Sequence, residues 1–139
     1  MATFNKFNTF IGDIGKELHD LQAAGDTLKV YLTNQLPVST NSVKADITEI
    51  TAGNGYTAGG ITVPKTWDNV SSLWTLAGTA DSVWTASGGA IAQFRYVVLY
   101  NDTSPSDSLI SWYDYGATLD VADGETFTAK TNTDLATIQ

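Results

Sequence analysis

Cysteine is absent from this 139-residue chain, which excludes disulfide staples, thiolate metal sites and a cysteine nucleophile. A small domain without staples depends on packing or assembly for its stability. Histidine occurs once, at position 19, so no second His or Cys exists to share a metal with it. No run of about 20 apolar residues is present that would span a bilayer. The N-terminus lacks a basic segment followed by an apolar one, so no secretory signal is read there. Positive charge is scarce as well. Seven basic residues (Lys6, Lys16, Lys29, Lys44, Lys65, Arg95 and Lys130) are scattered among fifteen acidic ones, for a net charge of −8. Affinity for a phosphate backbone rests on Lys and Arg, so neither nucleic acid nor an anionic membrane is expected as a partner. The acidic excess reads as a solubility device. Repeats and low-complexity tracts are lacking, and the length suits one domain with a real core.

The segment from Ala92 to Asp102 (Ala-Gln-Phe-Arg-Tyr-Val-Val-Leu-Tyr-Asn-Asp) is the strongest structural signal. Simple alternation puts Phe94, Tyr96, Val98 and Tyr100 on one face and Arg95, Val97 and Leu99 on the other. Both faces are therefore largely apolar, which predicts a strand inside a sheet that is covered on both sides. Leu28, Val30 and Leu32 alternate with Lys29, Tyr31 and Thr33 as a half-buried strand. Shorter strands are read at Ile61–Val63, Leu73–Leu76, Ser82–Thr85 and Leu109–Tyr115. Thr118–Val121 and Phe127–Lys130 read as a closing hairpin around Asp123-Gly124. Val43–Thr51 fits a helix or a strand equally. About eight short strands at this spacing predict an all-β jelly roll or β-sandwich over residues 26–130. Residues 131–139 read as a loose polar tail.

Residues 1–25 differ. Phe4, Phe7, Phe10, Ile11, Ile14, Leu18 and Leu21 recur at helical spacing, interrupted by Gly12 and Gly15. The reading is an irregular or extended arm to about Gly12, then a helix from Asp13, its N-cap, to Ala24, with Gly25 as the C′ residue; extended pairing of this segment is the alternative. Three Phe left in water would each forfeit roughly 1.5–3 kcal/mol. Phe4, Phe7 and Phe10 therefore either cap the domain's own core or dock on another chain.

Chemistry is poorly supported. No Gly-x-Ser-x-Gly elbow gives His19 a serine partner, and no glycine run leads into a Lys or a helix as a phosphate loop does. Asp102, Asp107, Asp114, Asp120, Asp123 and Glu125 crowd the last third. Paired carboxylates can hydrolyse glycosides and oxygen clusters can hold Ca²⁺, but Asp and Gly are also what turns demand. No enzyme and no cofactor is expected. Trp74, Trp84 and Trp112 lie in strand patterns and read as core. Trp67, beside Pro64, Asp68 and Asn69 in what reads as a loop, is the tryptophan expected to face a partner.

Several segments stand in a characteristic order: Asp26–Asn34, Val43–Ile50, Ala52–Gly60, Phe94–Asp102, Leu109–Gly116 and Asp123–Phe127. In order and spacing, over about residues 4 to 128, the chain resembles the capsid decoration (cement) proteins of tailed bacteriophages. The resemblance implies a jelly roll that sits as a homodimer on the capsid exterior, with the major capsid protein as partner, and it brings no catalytic residues. On that reading Phe4, Phe7, Phe10 and Trp67 are the candidate partner-binding residues. The four Trp keep a second function open, a carbohydrate- or receptor-binding sandwich of a head or tail fibre.

Overall fold

The computed structural model describes residues 4–138. In chain order the elements are β1 (Asn5–Lys6), α1 (Thr9–Gly15), β2 (Leu28–Thr33), β3 (Ile61–Thr62), β4 (Lys65–Val70), β5 (Leu73–Gly78), β6 (Ser82–Thr85), β7 (Ile91–Asn101), β8 (Leu109–Val121), β9 (Thr126–Ala129) and β10 (Asp134–Ile138). The all-β expectation holds, with one short N-terminal helix. A five-stranded sheet runs β1-β8-β7-β2-β3, and a three-stranded sheet (β10-β5-β4) and a β6–β9 pair complete the set. Among the described residues every strand pair is antiparallel. The main core lies between the large sheet and the two small ones, joining Val30, Leu32, Val97, Leu99 and Ile110 to Leu76, Trp84, Ala129 and Leu135. A second cluster of Tyr31, Val98, Tyr100 and Leu109 lies on the other face of the large sheet, closed by Phe7 and Ile47.

β7 is therefore interior and two-sided, as its composition predicts, but its faces are not those of simple alternation. Phe94 packs with Val97 and Leu99 in the main core, while Val98 and Tyr100 face the other way. The cause is register. Phe94 pairs with Leu119 and Tyr96 with Asp114, so Tyr115 to Thr118 of β8 stand against Arg95 alone. Such a bulge re-aims the side chains beyond it. β2 is also more buried than its pattern suggests: Tyr31 and Thr33 are both inaccessible to solvent, because segment 43–50 covers that face. In that segment Lys44–Asp46 form a single 3₁₀ turn with extended chain after it.

Four further sequence expectations give way. The helix is α1, ending at Gly15, not a helix from Asp13 to Ala24. Leu18 N–H bonds to Asp13 O (2.9 Å) and Glu17 N–H to Ile14 O (3.0 Å), and Glu17 has φ +59°. This is a Schellman stop with Glu17 in the left-handed position that glycine usually fills. Past it the backbone finds other partners: Asp26 N–H bonds to Asp20 O, and Asp20 N–H to the Asp26 carboxylate. The expected 118–130 hairpin is not a strand pair. The turn forms, with Glu125 N–H on Ala122 O, yet β8 runs on to Val121 beside β7 while β9 pairs with β6. The chain changes sheet at that turn. The polar tail is β10, laid on β5 with Leu135 and Ala136 buried. Finally, residues 65–70 form a strand where a loop was expected.

The β4–β5 hairpin turns through Ser71 and Ser72, both at positive φ (+53° and +65°), between the paired Val70 and Leu73. Two central residues at positive φ define the twist-matched hairpin turn that Asn-Gly fills best. Replacing Ser71-Ser72 by Asn-Gly is expected to stabilise the domain by about 1 kcal/mol. Thermal melting checks this, and an unchanged or lower midpoint would mean that the tip is not held in this conformation.

Candidate functional site

The residues picked from the sequence separate. Phe10 is fully buried in the main core and Phe7 nearly so in the second cluster. Phe7 packs on Trp112 (ring centroids 4.6 Å), and Phe4, half-buried, packs on Tyr113 (5.5 Å). Phe7 and Phe10 thus pack within the chain's own domain, while Phe4 keeps part of its surface open to a groove. β1 adds an edge strand to β8, with Asn5 opposite Trp112.

Trp67 lies elsewhere, half-buried on β4, with its ring stacked on Trp74 of β5 (5.5 Å, 19°). Trp74 is not core: it is 44% exposed. Pair geometry explains why. Trp67 faces Leu76, which is in the core, whereas Trp74 pairs with Asn69 one step nearer the tip, where the hairpin outruns the layer beneath it. Across the hairpin, Val70 pairs with Leu73 on the opposite face, and Val70 is 58% exposed. The tip thus carries apolar side chains on both faces. Of the other tryptophans, Trp84 is buried and Trp112 only partly covered.

The sequence reading missed a polar network centred on Glu49. Its Oε1 accepts from Tyr56 Oη (2.6 Å) and Gly59 N–H (2.7 Å), and its Oε2 from Lys44 Nζ (2.8 Å). Tyr56 Oη in turn accepts from Leu32 N–H of β2 (3.1 Å). The Lys44 ammonium lies 4.9 Å from the centre of the Tyr31 ring and 5.7 Å from that of Tyr100, within cation–π range. Tyr100 Oη donates to Gly59 O (2.7 Å). Burial, reinforced by the Glu49 charge, pushes the Tyr31 and Tyr56 hydroxyls far above the usual tyrosine range, so both stay protonated. The network pins the glycine-rich connection 53–60 onto β2. Gly60, at φ +79°, passes so close to Val30 O that a Cβ would overlap it. A hydrophobic-pattern reading passes over such a network because its central members are polar and follow no regular spacing.

The acidic residues of the last third do not converge. Asp114 and Arg95 form a bidentate pair (2.8 and 3.0 Å) that holds the Asp114 carboxyl below its ordinary range. Asp102 faces Lys29 (3.2 Å), Asp120 accepts from Gln93, Asp123 from Gly88 N–H and Glu125 from Ala122 N–H. Most of these contacts anchor turns or cross-strand pairs. Among the described residues no three His, Cys, Asp or Glu side chains gather as a metal site. His19 contacts Asn101 and the ring of Phe10 and does not meet a serine. No helix among the described residues is long and apolar enough to cross a membrane.

The exposed hairpin, the groove lined by Phe4, Ile11 and Trp112, and the separate exposed side chains of Leu36, Val38 and Val83 are thus apolar surface features that folding itself leaves unexplained. In comparison with known proteins, no family model, no curated protein and no solved structure matches this chain.

Proposed function

We propose that this chain is a structural virion protein, a cement protein that binds the outside of a tailed-phage capsid and bridges neighbouring major capsid protein subunits, with a second copy of itself as a further partner. The observation that carries this reading is the two-faced apolar tip of the β4–β5 hairpin. An exposed apolar group gains only when something covers it. A tip that is apolar on one face suits a flat partner, whereas Val70 on one face and Trp74 on the other suit insertion between two protein surfaces. Acidity supports an outer position, because a chain with a net charge of −8 is badly matched to packaged nucleic acid. Size supports two contacts. The folded chain exposes 6795 Å², and a standard interface takes about 800 Å² per partner.

Burying the exposed part of Trp74 is worth roughly 2–3 kcal/mol. Trp74→Ser is therefore expected to weaken binding to undecorated capsids by roughly 30- to 150-fold, while loss of the Trp67 stack lowers the melting temperature of the free protein by only a few degrees. Co-sedimentation across a concentration series reads the affinity. Undiminished binding by Trp74→Ser would remove the hairpin from the interface.

One observation favours a second reading. Trp74 pairs across the hairpin with Asn69, whose Oδ1 accepts from Ser72 N–H (3.2 Å), so an exposed ring and an amide share one side of the sheet, the combination that a sugar uses. Under that reading Trp fluorescence is quenched saturably by millimolar sugar; under the cement reading it is not.

A further inference from the structure

His19 is 8% exposed and lies where the chain leaving α1 meets the end of β7. Its partner is Asn101, which is fully buried. The orientation of that amide is fixed from the other side: Asn101 Oδ1 accepts from Thr103 N–H (2.9 Å) and Ser104 N–H (3.1 Å). Nδ2 therefore points at the N-terminal segment, where Leu18 O (3.0 Å), His19 Nδ1 (3.0 Å) and Asp26 Oδ2 (2.7 Å) share its two N–H hydrogens. Since Nδ1 accepts, the imidazole proton sits on Nε2, which is buried without a hydrogen-bond partner. The ring of Phe10 packs 5.5 Å away.

We infer that His19 and Asn101 form an acid-sensitive clip, in which the neutral imidazole fastens segment 16–26 to the end of β7 and protonation releases it. A proton added at Nδ1 would face the Asn101 Nδ2 hydrogens, donor against donor, and would turn Asn101 away from Leu18 and Asp26 together. The charged groups around the ring come from each neighbouring element: Asp13 on α1, Asp20 and Asp26 in the loop, and Lys65 of β4, whose Nζ donates to Asp26 O (2.6 Å). Burial lowers the His19 pKa from 6.5, and the charges of Asp13 and Asp26 oppose the shift without cancelling it. The sign follows. A histidine with a depressed folded pKa contributes stability that is full above about 6.5 and is lost as the pH falls from there through the folded value. Release uncovers the core that Phe10 and Leu21 seal.

Because His19 is the sole histidine, its NMR ring signals are unambiguous. The expected result is an Nε2–H tautomer that titrates below pH 6.5. As it titrates, the amides of residues 18–26 should lose at least tenfold in hydrogen-exchange protection while those of β2, β7 and β8 keep theirs. In His19→Gln the loop protection should stay flat over the same pH range. Protection of 18–26 that does not follow the imidazole titration in the wild type would overturn the clip, whether or not the variant folds. Equal acid loss in His19→Gln would assign the effect to the carboxylates and overturn it as well.

Discussion

Phe94→Ala is expected to cost about 3–5 kcal/mol, a large share of the 5–15 kcal/mol that holds a domain of this size together. Phe94 is fully buried and packs edge-on against Phe127 of β9 (4.7 Å). Phe127 in turn contacts Trp84 (5.8 Å) and Tyr115 (5.3 Å). The ring therefore joins β7 of the large sheet to β8 and to the β6–β9 pair, and a cavity there has rigid aromatic walls that cannot collapse into it. Denaturant unfolding followed by Trp fluorescence measures the loss. A midpoint within a few degrees or a few tenths molar of wild type would mean that Phe94 does not occupy the layer between the sheets.

Glu49→Ala is expected to cost about 3 kcal/mol, for a different reason. The side chains of Glu49 and Lys44 are only 14% and 22% exposed. Removing one member of a covered pair leaves the other charge without compensation, and here it also strips Tyr56 Oη and Gly59 N–H of their acceptor. Glu49→Gln, which keeps an acceptor oxygen, should recover part of the loss. Chemical denaturation of the two variants tests this. Should Glu49→Ala be as stable as the parent, the connection 53–60 is held by its backbone alone.

The two-sided strand and the β class were legible because β7 announces itself through consecutive aliphatic and aromatic residues. What alternation cannot show is a bulge, since the shift at Phe94 and Tyr96 depends on how β8 counts residues opposite Arg95. The helix was misplaced because Gly12 and Gly15 were weighed as helix breakers. In fact the helix contains both and ends at Gly15, with Glu17 just beyond it as a left-handed residue that no propensity scale marks. Trp67 was expected to face a partner from a loop, yet it lies on β4, half-buried against the core, and the exposed tryptophan is its neighbour. Its partner Trp74 was read as core because a strand pattern says which residues share a face and not where that face outruns the layer beneath it. Phe7 and Phe10 carried both a packing and a docking reading, and only the fold separates these.

The measurement that bears most directly on the proposed function is an image of the particle. Under the proposed cement reading, capsids reconstructed with and without this protein are expected to differ by density on the outer surface that spans the joints between capsid subunits, with the β4–β5 hairpin seated in a joint. Identical capsid reconstructions, or density confined to a tail or head fibre, would contradict the cement reading.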